Sequence, residues 1–84
     1  MGIDPRDRRI AKLLLWIRQN GRCHYCGDYL DPPDMTIDHM TPRCLGGADA
    51  LANMAGACYR CNQEKHERRY WNYLRYRRKR GEVI

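Results

Sequence analysis

Apolar positions near the start of the chain recur at the spacing of one helix face. They follow the i, i+3, i+4, i+7 order and are Ile10, Leu13, Leu14 and Ile17. Asp4 and Pro5 are residue types suited to a helix start, and Asn20-Gly21 to a helix end. The pattern therefore predicts an N-terminal helix over residues 1–20.

Two short strands are predicted in the middle of the chain. Residues 31–34 form a loop, because neither of the two prolines there can donate to a strand ladder. The following segment, Met35 to His39, has the β-branched content of a short strand. Pro42 to Gly47 is another turn, and we expect the Ala-rich residues 48–57 to be a loop that leads into a second short strand.

The last part of the chain has the composition of a helix. Neither Gly nor Pro occurs between Tyr59 and Arg80, and Gly81 stands where a helix end is expected. We therefore predict one long helix over residues 59–80. Its aromatic residues are expected to pack against the N-terminal helix rather than to stack on bases, and they are Tyr70, Trp71, Tyr73 and Tyr76.

Length and charge narrow the class of protein. A chain of 84 residues makes one domain and rarely builds a sufficient core without a disulfide, a metal or a partner. Its longest uninterrupted apolar run covers five residues, whereas a membrane span needs about 20. No secretory signal is recognisable, so a reducing cytosol is expected. The net charge of +6 makes a polyanion, nucleic acid above all, the leading partner.

Four of the five cysteines form two Cys-x-x-Cys pairs, which are Cys23-x-x-Cys26 and Cys58-x-x-Cys61. This pattern predicts a tetrahedral four-cysteine zinc site, with four reduced buried thiols or two disulfides as the alternatives. Arg22 and Arg60 stand beside the pairs and are expected to offset the charge of the thiolates. Cys44 is expected to be a small, partly buried side chain with no catalytic role. His24, inside the first pair, is expected not to bind the metal.

The segment between the pairs, together with the residue after the second one, carries oxygen ligands beside a base. Asp38-His39 ends the first predicted strand, Asn53 lies in the loop after it, and Asn62 follows the last thiol directly. A carboxylate and an amide oxygen suit Mg2+ or Mn2+, and a histidine can accept a proton at neutral pH. Each residue alone also has an ordinary interpretation. Asp38-His39 would be exposed surface residues without a function, and the asparagine after the cysteine would be a helix cap.

The order of these residues resembles that of the HNH endonuclease family, a branch of the ββα-metal nucleases. The matching pattern spans residues 23–65 and consists of the two Cys-x-x-Cys pairs, Ile37-Asp38-His39, Pro42, Gly46-Gly47, Asn53 and Asn62-x-x-Lys65. The resemblance implies a small α+β fold, in which two antiparallel strands and a helix form a zinc-braced core over residues 22–66. With the N-terminal helix and the long basic C-terminal helix, residues 1–84 would be a single HNH nuclease domain.

The resemblance also implies a role for each residue of the pattern. His39 would be the general base that activates water, and Asn53 would hydrogen-bond across the loop and hold that base in orientation. Asp38 and Asn62 would ligate a catalytic divalent ion, Mg2+ or Mn2+, beside the structural zinc. The implied reaction is hydrolysis of DNA phosphodiester bonds, by nicking or double-strand cutting, to 5′-phosphate and 3′-hydroxyl ends. Cys44 departs from the family, where Ser is common, but this change removes no reacting group.

Positive charge is concentrated toward the C-terminus. Residues 60–80 hold nine basic and two acidic side chains, which is typical of a surface that follows nucleic-acid phosphates. The residues expected to contact nucleic acid are Arg43, Lys65, His66, Arg68 and Arg69. For His66, a plain surface position is the alternative. No base-reading motif is recognisable, which favours weakly specific cutting, with specificity supplied by a larger nucleic-acid-processing complex.

Two other functions fit the same residues. The chain could be a catalytically inactive, zinc-dependent nucleic-acid-binding module in which Asp38 and His39 are structural. It could also be an interaction protein whose basic helix docks on an acidic partner. The expected partner is DNA, with RNA as the alternative and no membrane, in the cytoplasm of a bacterial or phage-infected cell.

Overall fold

A computed structural model describes residues 5–81, which form a small α+β fold. Helix α1 spans Pro5–Arg18, strand β1 Thr36–His39, strand β2 Met54–Ala57, helix α2 Tyr59–Lys65 and helix α3 Tyr70–Lys79. Single turns of 3-10 helix at Pro32–Asp34, Arg43–Leu45 and Leu51–Asn53 lie in the connections. The predicted cap Asp4 lies outside the described residues. Among those described, no helix has the length and apolar character that crossing a membrane requires.

The two strands pair in an antiparallel sheet, as the motif implied. Asp38 is opposite Ala55, and His39 is opposite Met54. All four residues of β2 are buried, and three of them, Ala55, Gly56 and Ala57, are small. A Cβ atom on Gly56 would collide with the thioether of the buried Met35. The second strand therefore lies at the end of the Ala-rich segment, where it was predicted.

Helix α1 docks on the sheet through a face other than its most apolar one. Ala11 and Leu15 are buried against Met35 and Met54. The residues whose spacing predicted the helix are instead about half exposed, and they are Ile10, Leu13, Leu14 and Ile17. The apolar repeat identified the helix correctly but did not identify its buried face.

Polar side chains at the end of α1 explain the choice of face. Gln19 accepts a hydrogen bond from the Gly56 amide at 2.8 Å and donates to the Gly56 carbonyl at 2.9 Å. Arg18 donates to the Met54 carbonyl at 3.0 Å. A two-stranded sheet leaves the outer edge of β2 without a neighbouring strand. These contacts satisfy that edge, and they orient the helix against it.

The prediction of one long C-terminal helix was wrong. Helix α2 ends at Lys65 and α3 begins at Tyr70, with His66 between them at φ 49° and ψ −118°. The Tyr70 amide donates to the carbonyl of Met40 at 2.8 Å. Just before the turn, the buried Lys65 side chain donates to the His39 carbonyl of β1 at 2.8 Å, so contacts with the chain at the end of β1 hold both sides of the turn. The basic residues are therefore divided between two helices and a turn.

Two of the four aromatic residues of α3, Tyr70 and Tyr73, pack against the cysteine pairs and not against α1 as expected, whereas Trp71 and Tyr76 are exposed. Tyr73 and Leu74 are buried in a cluster with Cys23, Cys61 and Tyr25. The rings of Tyr25 and Tyr73 meet edge to face with centroids 5.0 Å apart. This packing is possible because the turn after α2 brings α3 back across the two pairs.

Candidate metal centre and catalytic groove

The four cysteines of the two pairs come together at one point of the fold. Their sulfur atoms all lie within 4.8 Å of one another, and the Sγ atoms of Cys26 and Cys58 are 3.9 Å apart. A tetrahedral zinc with Zn–S bonds of about 2.3 Å requires S–S separations of roughly 3.8 Å. All four are free thiols, so the disulfide alternative is not observed. The cluster fits zinc in donor type, number and spacing.

Hydrogen bonds to sulfur surround this cluster. The amides of Tyr25 and Cys58 donate to Cys23 Sγ at 3.4 and 3.3 Å, and the Cys61 amide donates to Cys58 Sγ at 3.4 Å. Such bonds stabilise thiolates and orient them toward a metal. Burial raises the pKa of the Cys26 and Cys61 thiols to about 11. A bound zinc would therefore have to displace protons from both.

Arg77 is the arginine that contacts the cluster directly. Its side chain is buried, and Nη1 donates to Cys61 Sγ at 3.1 Å and to the Tyr73 hydroxyl at 2.8 Å. Arg22 instead hydrogen-bonds Tyr29. Arg60 lies 3.9 Å from the exposed Asp28 carboxylate, and the negative charges of Cys58 and Cys61 raise the pKa of its guanidinium, as expected for a residue that offsets the thiolates. This role of Arg77 was not predicted, because the residue lies 16 positions from Cys61 on another helix. No local spacing rule connects the two.

His24 and Cys44 stand outside the cluster. His24 Nε2 lies 2.9 Å from the Tyr70 hydroxyl. Burial, together with the charge of Arg18, lowers the pKa of the His24 imidazole, so the ring is neutral at pH 7. His24 is therefore not part of the four-thiol cluster, as expected. Cys44 is exposed rather than partly buried, and it lies on the rim of a groove formed at the end of β1.

This open groove brings together three of the four residues from the HNH-like pattern. Asp38 and His39 reach it from β1, and Asn62 reaches it from the first half of α2. The strand and the helix meet here because β1 pairs with β2 and α2 starts one residue after β2. The other lining residues are Ile37, Pro42, Arg43, Cys44, His66 and Glu67.

Asp38 is buried at the floor of the groove, with 3% of its surface exposed. Its Oδ2 accepts a hydrogen bond from the Tyr25 hydroxyl, and its Oδ1 lies 3.1 Å from Lys65 Nζ. Burial and the neighbouring carboxylate raise the pKa of Tyr25 above its ordinary value, so the phenol keeps its proton and donates it. Tyr25 and Lys65 thus fix the direction of the carboxylate.

Lys65 is not a phosphate-contacting residue in this structure. Its side chain is fully buried, and Nζ donates to the carbonyl of His39 at 2.8 Å while it pairs with Asp38. A phosphate would have to enter the protein interior to reach it. This corrects the expectation for Lys65, which arose because its position in sequence placed it within one turn of Asn62.

His39 is held by a carboxylate that the sequence analysis did not identify. Its Nε2 lies 2.8 Å from Oδ1 of Asp49, whose side chain is 5% exposed against 18% for His39. The Arg43 guanidinium lies 3.9 Å from the other oxygen of Asp49, and its side chain is 52% exposed. An acidic residue two positions after a Gly-Gly turn is common on protein surfaces, so no signal in the sequence marked this one.

The two asparagines have different surroundings. Asn53 accepts from the Thr41 amide at 3.0 Å and donates to the carbonyls of Thr41 at 3.0 Å and Ala48 at 2.9 Å. It therefore spans the loop that follows His39. Asn62 uses its Nδ2 to donate to Thr36 Oγ1 at 2.8 Å and to the Ile37 carbonyl at 3.3 Å. Because the amide nitrogen is held in this way, Oδ1 is the atom available to a metal.

The remaining basic residues of the expected nucleic-acid surface lie in the turn between α2 and α3. His66 is exposed and lines it, and Arg69 is exposed just before α3. Arg68 is also exposed, but its guanidinium donates to the Glu64 carbonyl at 2.6 Å and lies 4.7 Å from the centre of the Tyr76 ring. Of these three residues, His66 is therefore the one that lines the groove, while Arg68 is turned toward Glu64 and Tyr76.

Comparison with known proteins places this geometry in a family. Residues 23–68, more than half of the chain, match the family model described as HNH endonuclease. The chain is also similar to the CRISPR-associated endonuclease Cas9 of Corynebacterium diphtheriae, with 39% identity over 49 residues. That match covers 57% of this chain and 4% of the Cas9 protein. The chain belongs to the HNH endonuclease family.

Proposed function

We propose that this protein is a metal-dependent endonuclease that hydrolyses phosphodiester bonds in DNA. The observation that carries the proposal is the convergence of Asp38, His39 and Asn62 on one open groove. A carboxylate, an imidazole and an amide oxygen within one groove provide metal ligands beside a base. Membership of the HNH endonuclease family, together with the likeness to Cas9, supports the same reaction.

Each groove residue has a separate task in this proposal. His39 accepts a proton from the water that attacks phosphorus. Asp38 and Asn62 would hold Mg2+ or Mn2+, which would stabilise negative charge on the phosphate and on the departing 3′-oxygen. Asn53 keeps the loop after His39 in place through its three hydrogen bonds. The products would carry 5′-phosphate and 3′-hydroxyl ends.

We further propose that the DNA backbone passes over the rim of the groove. Arg43 and His66 line the groove, and Arg68 and Arg69 are exposed in the turn that follows His66. Arginine side chains that contact phosphates hold a duplex in register without reading its sequence. The proposed cleavage is therefore weakly specific. The Cas9 relative is a far longer protein, and a larger nucleic-acid-processing complex would supply target choice here.

The experiment that tests this function is cleavage of supercoiled plasmid by the zinc-loaded protein with Mg2+, Mn2+ or EDTA. We expect nicked or linear DNA with either ion and none with EDTA. The His39→Ala variant should lose about 10²–10⁴-fold in rate, the usual contribution of a positioned general base. Zinc content and DNA binding of the variant, measured alongside, show whether its fold is intact.

Absence of cutting would contradict the proposal if the folded wild-type protein still bound DNA. That result would favour the inactive nucleic-acid-binding module. Equal cutting by His39→Ala and wild type would contradict the assignment of the base. Ligation of the products by a DNA ligase requires 5′-phosphate and 3′-hydroxyl ends, so it tests the predicted chemistry of the cut.

A further inference from the structure

The contact between His39 and Asp49 decides which ring nitrogen of the histidine carries its proton. Asp49 lies in the segment between the Gly46-Gly47 turn and the 3-10 turn at Leu51–Asn53. Its Oδ1 is 2.8 Å from His39 Nε2. An ionised carboxylate can only accept hydrogen bonds, so Nε2 must donate. A neutral imidazole has one N–H, which leaves Nδ1 with the lone pair.

The surroundings of Asp49 hold its carboxylate in this position. The side chain is nearly buried, and the Arg43 guanidinium lies 3.9 Å from Oδ2. The carbonyl of the preceding residue, Ala48, accepts a hydrogen bond from Asn53 at 2.9 Å. Asn53 also holds the Thr41 backbone, two residues after His39. The same side chain therefore fixes the backbone next to both members of the His39–Asp49 pair.

We infer that Asp49 is a positioning residue that keeps the His39 ring in the Nε2–H form, with Nδ1 as the proton acceptor. This inference rests on the proposed nuclease function. In the reaction, Nδ1 takes one proton from water while the water oxygen forms a bond to phosphorus. The bond between phosphorus and the 3′-oxygen breaks, and the departing oxygen takes a proton from solvent. Asp49 stabilises the imidazolium that results, without becoming protonated itself.

The direct test is the location of the ring proton in the zinc-loaded wild-type protein. Nitrogen-15 NMR distinguishes the two tautomers, and the resonances of the three histidines can be assigned by substituting each in turn. At a pH where the His39 ring is neutral, we expect a protonated Nε2 whose proton exchanges slowly with water. A proton on Nδ1 would overturn the inference, whether or not the protein cuts DNA.

A pair of variants connects the tautomer with the rate. Asp49→Ala removes the acceptor, so the Nε2–H proton should exchange rapidly. Cutting should slow by roughly 10- to 100-fold, no more than the lower end of the 10²–10⁴-fold that a general base contributes. Asp34→Ala removes an exposed carboxylate outside the groove and should change neither measurement. In a His39→Ala background, Asp49→Ala should slow cutting no further, because the two residues act as one unit.

The outcomes separate this inference from the proposed function. If His39→Ala abolishes cutting while Asp49→Ala cuts at the wild-type rate, the function stands and the role of Asp49 is refuted. If His39→Ala cuts at the wild-type rate, the assignment of His39 as the base fails and the role of Asp49 fails with it. If the folded wild-type protein binds DNA but does not cut it with either ion, the function itself fails. Should Asp49→Ala not fold, the tautomer of the wild-type ring still decides the inference.

Discussion

At the scale of single residues, the fully buried pair of Lys65 and Asp38 is the feature that fixes the groove. Removing two charges from water is costly, and close contact with further hydrogen bonds is needed to offset that cost. Lys65 Nζ meets this need by also donating to the His39 carbonyl, and Asp38 by accepting from Tyr25. The ammonium group thus holds both residues of the Asp38-His39 dipeptide, at the side chain of one and the backbone of the other.

Replacing this lysine should destabilise the fold strongly. Lys65→Met leaves the buried Asp38 carboxylate without its counter-charge, and we expect the free energy of unfolding to fall by about 3–5 kcal/mol. Lys79→Met removes an exposed lysine of α3 and should change it by less than about 0.5 kcal/mol. Urea unfolding of the zinc-loaded proteins measures both. A similar small effect for the two variants would show that Lys65 is not buried in solution.

At the scale of elements, α1 is attached by a narrow contact. Its buried residues, Ala11 and Leu15, are joined by polar bonds from Arg18 and Gln19 to the edge of β2. Hydrogen bonds are directional, whereas apolar burial is not. The edge contacts therefore select the orientation of the helix even though a more apolar face was available.

Two neighbouring leucines test this orientation. Leu15 is 0% exposed and Leu14 is 46% exposed. Leu15→Ala should lower the free energy of unfolding by about 2–5 kcal/mol, as is usual for a buried leucine. Leu14→Ala should change it by less than about 1 kcal/mol, since alanine is also a good helix former. Thermal unfolding of the two variants compares them, and the opposite ranking would mean that α1 packs through its other face.

Helix α3 is attached to the cysteine cluster through Arg77. Its guanidinium joins Cys61 Sγ to the Tyr73 hydroxyl, which in turn donates to Glu64 of α2 at 2.8 Å. Arg80 pairs with the same carboxylate at 2.7 Å. Hydrogen bonding to Arg80, against a smaller opposing effect of burial, lowers the pKa of Glu64, so the carboxylate is ionised at neutral pH. The network links the metal ligand, α2 and α3 in one contiguous set.

Loss of Arg77 should weaken zinc binding. Arg77→Met removes the donor to Cys61 Sγ, and we expect zinc affinity to fall by about 10- to 100-fold, the usual effect of losing such an outer partner. The adjacent Arg78→Met alters an exposed arginine and is the matched control. Competition with a chromophoric chelator measures affinity for both. Equal affinities would mean that the backbone amides alone stabilise the thiolates.

At the scale of the whole molecule, the described residues contain two small apolar clusters rather than one large core. One surrounds the cysteine pairs and includes Tyr25 and Tyr73, and the other joins α1 to Met35 and Met54. Clusters of this size give limited stability to so short a chain. A zinc that ties Cys23 and Cys26 to Cys58 and Cys61 would close the long segment between the pairs and support both.

Zinc removal should therefore unfold the protein, and the effect should depend on pH. Chelation is expected to abolish the helical circular dichroism signal, and added zinc should restore it. The raised pKa values of Cys26 and Cys61, about 11 in the metal-free fold, mean that both thiols hold protons at pH 7. Burial also raises the pKa of the Cys58 thiol, so zinc must release at least three protons, and its affinity should rise by at least about 1,000-fold per pH unit.

Calorimetric titration in buffers of different ionisation enthalpy counts the released protons. An affinity that is constant between pH 6 and 8 would contradict this account of the site. Retention of the helical signal after complete chelation would show that the two apolar clusters suffice for folding.

Much of the fold followed from local patterns. Helix α1, both strands and the four-cysteine cluster were predicted, because helical spacing, β-branched content and Cys-x-x-Cys turns act over a few residues. The prediction of a single C-terminal helix was wrong, since the turn at His66 is flanked by the Lys65–His39 and Tyr70–Met40 hydrogen bonds, which join residues far apart in sequence. The prediction that Tyr73 packs against α1 was wrong for the same reason, because its packing depends on a turn that helix propensity does not predict.

The sequence by itself determined the chemistry that this protein carries: the zinc-type ligand set, the Asp38-His39 dipeptide and the asparagines that match an HNH endonuclease. These features depend only on residue type and spacing, so they can be identified without a structure. Only the tertiary structure decided which other side chains contact and orient these residues. Asp49 faces His39, Lys65 turns inward to Asp38, and Arg77 reaches Cys61. Each of these contacts joins residues at least ten positions apart, and packing, not local spacing, brings them together.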